Sequence, residues 1–266
     1  MTDARRYGAL FRAGMSATHR RAIEWVPRGS RVLELGCACG DMGALLAREK
    51  ACHVVGVELD PAAAGEARAA GLEVVVGSLE APSTVEAIAA RGPFDVILAT
   101  DVLEHLRDPE PVVAAIARLA APRGLFIVAV PNVATWSMRW QLLTRGRWDY
   151  ADTGLLDRTH LRFFTWDSIH ALVEGHGWRV VDRLVDGYDL PGGNYVLGAL
   201  TDALRARVAG WPDEPPGLRR EVHLRANLLI DGVIRVRQRL HRRLVERVPN
   251  LVSPHVALLL ERAEAA

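Results

Sequence analysis

Short runs of valine, isoleucine and leucine alternate along the chain with longer stretches in which apolar residues recur every three or four positions, and the alternation sets in at Arg31. A short apolar run bounded by glycine or proline reads as a strand buried on both faces, and a period near 3.6 reads as a helix packed on one face. Strands are therefore expected near 31–35, 53–58, 72–77, 94–100 and 125–130. The helices between them fall near 41–50, 61–70, 82–91 and 108–120, with Pro61, Pro82 and Pro109 in first turns, where a missing N–H costs nothing. Strict alternation of this kind predicts βαβ units around a parallel sheet. A sixth strand is expected from Trp178 to Val185, after a helix over 166–175 that Thr165 caps and Gly175 and Gly177 end, and a seventh over 255–261. Residues 191–250 read as long helices broken by WPDEPPG at 211–217. The expected plan is a helical cap over 1–30, a core over 31–190 with a lid segment at 132–165, a helical insertion over 191–250, and a final strand and tail over 251–266. The fold class is α/β, with a doubly wound, seven-stranded, mostly parallel sheet.

Composition narrows the setting. Half of the 266 residues are apolar, enough for a sizeable core, and a formal charge of +1 gives no general attraction to nucleic acid, so none is expected as partner. Cys37, Cys39 and Cys52 are odd in number and sit beside strand-like segments, which argues for a reducing cytoplasm. Neither a signal-type apolar core in MTDARRYGALFRAG nor a spanning run of about 18 apolar residues is seen, and a cytoplasmic protein is expected. Lysine occurs once, at Lys50, against abundant arginine, a bias read as genomic base composition. No cysteine or histidine set has metal-ligand spacing, and no metal is expected. Charge is local instead. Over 217–248, Val222, Leu229, Val233, Leu240 and Leu244 form one helical stripe among nine arginines and three acidic residues, a pattern for peripheral membrane contact or a homodimer surface.

The chemistry begins in RVLELGCACGDMG, 31–43, where a strand enters a glycine-bearing turn and then a helix, so that backbone N–H groups can face a ligand. The dinucleotide fingerprint GxGxxG from Gly36 fails at Ala38 and Asp41. Glu34, Gly36 and Gly40 instead resemble the ExGxGxG signature of class I S-adenosylmethionine-dependent methyltransferases, with Ala38 in the central glycine position. The second strand ends in Glu58, 22 residues after Gly36, where a carboxylate can accept from both ribose hydroxyls. FDVILATDVLEHLRDP, 94–109, is similar to the family's fourth strand and following turn. The resemblance implies a Rossmann-like fold, S-adenosylmethionine as cofactor and S-adenosylhomocysteine as product. It places Cys37 and Ala38 in the cofactor loop, Leu59 against the adenine, Gly77 and Ser78 at the ring's polar edge with Leu79 also at the cofactor, and Thr100 and Asp101 by the methionine end. It is densest over 30–131, thins over 132–185, and rests beyond that on VSPHVALLLER. The look-alikes are bacterial small-molecule methyltransferases and the MetW proteins of methionine biosynthesis, the latter through IEWVPRGSRVLELG and PNVATWSMRWQLLTRGRW.

Specificity is expected after the fifth strand. Trp136, Trp140, Trp148 and Trp166 surround a loop-rich stretch, as an apolar or sugar-stacking pocket would; Trp136 and Trp140, one helical turn apart, would equally pack a lid helix. In DRTHLRFF, 157–164, His160 is the candidate general base, Asp157 its electrostatic partner and Arg158 a substrate contact; the alternative is a lid anchored by an ion pair and a hydrogen-bonded histidine. His105 is a second base candidate, or else orients the helix after it. The fourth strand is followed by TDVL and not by the Asn/Asp-Pro-Pro-aromatic sequence of amino-group base methylation. The expected reaction is O-methylation of a small acceptor, a sugar, lipid-linked compound or secondary metabolite. The alternatives are a MetW-like partner or regulatory protein and nicotinamide-dependent oxidation.

Overall fold

The computed structural model describes residues 5, 6, 8, 9, 11, 14–186 and 247–263. The expected insertion over 191–250 lies, but for its last four residues, outside the described residues, and so does nearly all of the 217–248 stripe. The chain divides into two compact units, Met1–Val133 with Asp149–Asp186 and His255–Ala266, and Ala134–Trp148 with Gly187–Pro254.

The first unit follows from the two-residue period of its strands. β1 (Arg31–Leu35), β2 (His53–Glu58), β3 (Glu73–Val76), β4 (Phe94–Thr100), β5 (Ala120–Pro131), β6 (Trp178–Asp186) and β7 (His255–Arg262) form one sheet in the order β3-β2-β1-β4-β5-β7-β6. Val32, Val54, Val74, Val96 and Ile127 face one side, and they pack with Ala22, Met42, Leu46, Ala64 and Ala67. These come from helices α1 (Ala17–Trp25), α2 (Asp41–Lys50) and α3 (Pro61–Ala69). The alternate residues Leu33, Val55, Val75, Ile97 and Phe126 face the other side and pack with Ile88, Val113, Ile116 and Ile169. Their helices are α4 (Pro82–Ala89), α5 (Pro109–Leu119) and α7 (Trp166–Glu174). Strands β1 to β5 run parallel, and β7 runs antiparallel to both β5 and β6. The order reverses between β1 and β4, which opens a crevice at their carboxyl ends.

Local chemistry sets the boundaries. Ser16 and Asp60 cap α1 and α3 by accepting from His19 N and Ala62 N, and Thr165 forms a reciprocal capping box with Ser168. Pro61, Pro82 and Pro109 all stand at helix starts. β5 begins at Ala120 rather than at 125, because Pro122 drives Ala121 out of the helical region. Its register shifts between Phe94↔Ala120 and Val96↔Leu125, so 121–124 bulge out of the ladder. Among the described residues, no helix is long and apolar enough to cross a membrane.

In the second unit, α6 (Trp136–Arg145) ends at Gly146 with φ +58°, and a single turn, α8 (Pro249–Val252), precedes β7 in the chain.

Candidate functional site

The turn after β1 is built from small residues because its neighbours leave no room. Gly36 has φ +63°, and a side-chain carbon there would stand 2.8 Å from Val102 Cγ2. Gly40 has φ +82°, with Ala67 Cα 2.9 Å from where its carbon would be. Ala38 occupies the same left-handed region at φ +46°, at a cost of about 1 kcal/mol that a glycine would not bear. What holds it is Glu58, whose Oε2 accepts from Ala38 N at 2.9 Å while Oε1 accepts from Asp60 N at 2.8 Å. One buried carboxylate thus ties the first loop to the second. Leu59 beside it is 69% exposed, an apolar side chain held open at the crevice.

Three residues predicted at the cofactor have side chains turned inward. The Cys37 thiol packs 2.5 Å from where a side chain on Gly56 would begin, and burial pushes that thiol up, away from the reactive thiolate. Leu79 lies in the core. Glu34 is 4% exposed and takes a hydrogen bond from the Gly43 backbone at the start of α2, with its Oε2 otherwise unpartnered among the described residues. Burial, with Asp41 and Glu58 adding to it, pushes the Glu34 carboxyl up to about 8. It supports the loop from beneath. Ser78 Oγ accepts from Glu80 N at 3.2 Å within its own turn, and Thr100 Oγ1 lies 3.8 Å from Met42 Sδ.

At the end of β4, Asp101 adopts φ +56° and gives its N–H to Ala129 O. Its Oδ1 is 2.6 Å from His255 Nε2, and its Oδ2 is 3.6 Å from His19 Nε2. Burial pushes the Asp101 carboxyl up, but His255, His19 and His105 outweigh it and hold the group below its usual range. Burial lowers His19, which Asp101 only partly offsets. His19 and His255 were not legible in the sequence as site residues. His255 arrives because β7 is antiparallel to β5: the pairing Pro131↔His255 sets the start of one strand beside the end of the other.

The turn after Asp101 carries a second cluster. Glu104 is 1% exposed, and neither oxygen has a hydrogen-bond partner among the described residues. Its ligating atoms and those of His105 and His160 lie within 4.8 Å of one another, with His160 Nε2 4.0 Å from Glu104 Oε1. His160 Nδ1 is 3.0 Å from Leu155 O and His105 Nδ1 3.2 Å from Thr159 O, and the two rings meet edge to face at 4.8 Å. Burial pushes the Glu104 carboxyl well up, and Asp101 and Asp157 add to it. Burial lowers His105, with His160 beside it acting in the same direction.

The carboxylate facing His160 Nε2 is thus Glu104, where the sequence pointed to Asp157. Asp157 itself accepts from Thr159 N and Oγ1 at 2.9 and 2.7 Å, and from Arg6 Nη2 at 3.3 Å. Arg158 pairs with Asp152 at 3.2 Å on an exposed surface, away from the buried cluster. In the second unit Trp136 and Trp140 stack at 5.9 Å, 15° from parallel.

The comparisons agree with this geometry. Residues 7–183 match the family described as "Methyltransferase domain". A ubiquinone biosynthesis O-methyltransferase from Hahella chejuensis is 41% identical over 96 residues, 35% of this chain and 40% of that protein. Its counterpart from Psychrobacter arcticus is 33% identical over 152 residues, 52% of this chain and 58% of its own. That from Cereibacter sphaeroides is 32% identical over 171 residues, 58% and 62% respectively. The chain therefore spans less than two thirds of the length of these relatives. A SAM-dependent methyltransferase from Archaeoglobus fulgidus superposes with a TM-score of 0.53 at 16% identity over 92% of both chains. A cyclopropane synthase from Mycobacterium tuberculosis does so at 0.52 and 14%, over 92% of this chain and 83% of its own, which is a likeness of fold. With its seven-stranded sheet, its glycine turn tied to the Glu58 carboxylate and a family match over residues 7–183, this chain belongs to the class I S-adenosylmethionine-dependent methyltransferases.

Proposed function

We propose that the chain methylates a hydroxyl oxygen of a small acceptor. The observation that carries this reading is the 2.6 Å pair of His255 Nε2 and Asp101 Oδ1 at the carboxyl end of β4, where the methionine end of the cofactor is expected. The names of the O-methyltransferase relatives support oxygen as the accepting atom. The residues present fit the cofactor: Glu58 has its two oxygens at the ribose position, and exposed Leu59 offers an apolar face for the adenine. S-adenosylmethionine supplies a methyl group on a sulfonium, open to in-line attack.

The rest belongs to the chain. The 36–40 turn holds the methionine end through backbone groups, and Glu58 fixes the ribose. His255 takes the hydroxyl proton as the new carbon–oxygen bond forms, and the Asp101 carboxylate stabilises the imidazolium. His160, the base expected from sequence, is 7% exposed and turned to Glu104, so this role passes to His255. Trp136 and Trp140 are assigned to an apolar or sugar acceptor from their place in the sequence and their stacking.

The test combines calorimetry with S-adenosylhomocysteine and methyl transfer to a panel of phenols, sugars and lipid-linked alcohols. We expect His255→Ala to keep cofactor affinity and lose turnover by about 10² or more. A wild type that binds the cofactor and methylates no hydroxyl, amine or carboxylate would sink the enzymatic reading in favour of a MetW-like partner protein.

A further inference from the structure

We infer that Glu104, His105 and His160 form a binding site for one divalent transition-metal cation. The starting observation is Glu104, a carboxylate at 1% exposure with neither oxygen hydrogen-bonded among the described residues. Buried polar groups in native proteins are almost always paired, and a carboxylate buried without a partner calls for a cation. Among the described residues no arginine or lysine pairs with Glu104; what faces its Oε1 is His160 Nε2, at 4.0 Å, beyond hydrogen-bond range. A metal between two such atoms, at about 2.0–2.2 Å from each, spans a gap of that size.

The rings supply the second, independent observation. His160 is held through Nδ1 by Leu155 O and His105 through Nδ1 by Thr159 O. A backbone carbonyl on one imidazole nitrogen orients the ring, and metal-ligating histidines carry this kind of outer support. All three ligating atoms fall within 4.8 Å of one another, so an inward shift of about 0.5–1 Å brings them to the spacing of ligands around one ion. Asp101 and Asp157, whose charges both act on Glu104, add a negative field that favours a cation.

The donor set names the class. Two imidazoles and one carboxylate suit manganese, iron, cobalt, nickel or zinc, while magnesium prefers all-oxygen surroundings. Three protein ligands leave coordination positions for water or an acceptor oxygen. No methylation step is needed for the site to exist. Resting on the proposed function, the cation would hold the acceptor hydroxyl and ease loss of its proton beside His255.

Cobalt(II) is the probe, because its visible absorption reports nitrogen ligation directly. Protein stripped with a chelator should take up one Co²⁺ per chain, with a visible band and a raised melting temperature, and should take up Mg²⁺ at least tenfold more weakly. Glu104→Gln and His160→Gln should each weaken Co²⁺ binding tenfold or more while S-adenosylhomocysteine affinity stays unchanged. Should either variant melt below assay temperature, His105→Gln gives the same readout, and the wild-type spectrum stands alone. A folded, cofactor-binding wild type that shows no Co²⁺, Zn²⁺ or Mn²⁺ binding at millimolar concentration overturns the site, as does binding that the substitutions leave untouched. Because these readouts need no acceptor, their failure is distinguishable from failure of methyl transfer.

Discussion

At the residue scale, Glu58 ties two loops together and is proposed to fix the ribose as well. Its oxygens hold Ala38 N and Asp60 N, and the same carboxylate stands where the ribose hydroxyls are expected. Glu58→Ala should weaken S-adenosylhomocysteine binding by about 10²-fold or more, since it leaves buried donors and the ribose unpaired together. Glu58→Gln, which can still accept at one oxygen, should lose less; calorimetry finding the two variants equal would contradict the double role. Glu34 leads to a prediction of opposite sign. Its carboxyl is pushed from near 4.5 to about 8, chiefly by burial. Between those values the unfolded chain has released the proton and the folded chain retains it, so stability is full below 4.5 and falls as pH rises towards 8. Glu34→Gln should therefore melt higher than wild type at pH 8 and flatten the pH dependence of the melting temperature. A melting curve at which the variant is the less stable at pH 8 would rule this out. Glu34 was readable as part of a motif, but its position beneath α2, away from solvent, was not, because a motif gives spacing and not the direction of a side chain.

At the scale of elements, the single lysine joins two helices. Lys50, at the end of α2, donates through Nζ to Ile23 O and Val26 O at 2.5 Å and to Glu24 O at 3.1 Å. These carbonyls belong to the last turn of α1 and the residues after it, where a helix leaves acceptors without intrahelical partners. Composition alone made the rarity of lysine look like base usage, and the reason for retaining this one is visible only in the packing. Lys50→Met should cost about 1–3 kcal/mol, the penalty for acceptors stripped of a charged donor. Lys50→Arg should recover only part, because a planar fork cannot point three donors at three carbonyls as an ammonium can. Chemical denaturation decides it, and a Met variant as stable as wild type would remove the claim. Helix starts were legible for a related reason: proline and capping residues act within one turn, so Pro61, Pro82, Pro109 and Thr165 mark boundaries that the structure repeats. The start of β5 was missed because its ladder with Phe94 depends on a bulge and a partner strand.

For the whole molecule, the sheet was legible because its strands are buried on both faces and therefore written as continuous apolar runs, the last over 255–261 included, while the antiparallel direction of that last strand came only from resemblance. The site was half legible. The glycine turn and Glu58 lie within 22 residues of each other and are tied by the sheet, but the clusters around Asp101 and Glu104 join residues as far apart as His19, Asp101 and His255. The strand order, with α1 packed on the sheet, brings those together. The same order predicts which ligand the crevice stabilises. A dinucleotide would need close backbone approach where Ala38 and Asp41 now stand, and the Ala38 N–H is already given to Glu58. A ligand binding only the folded state stabilises by about 2.7 kcal/mol at a hundredfold excess over its dissociation constant. For a chain of this size that corresponds to a rise of about 5–10 °C in melting temperature. S-adenosylhomocysteine should produce it and NAD should not. A rise with NAD alone would mean that the shared sheet has been read correctly and its cofactor wrongly.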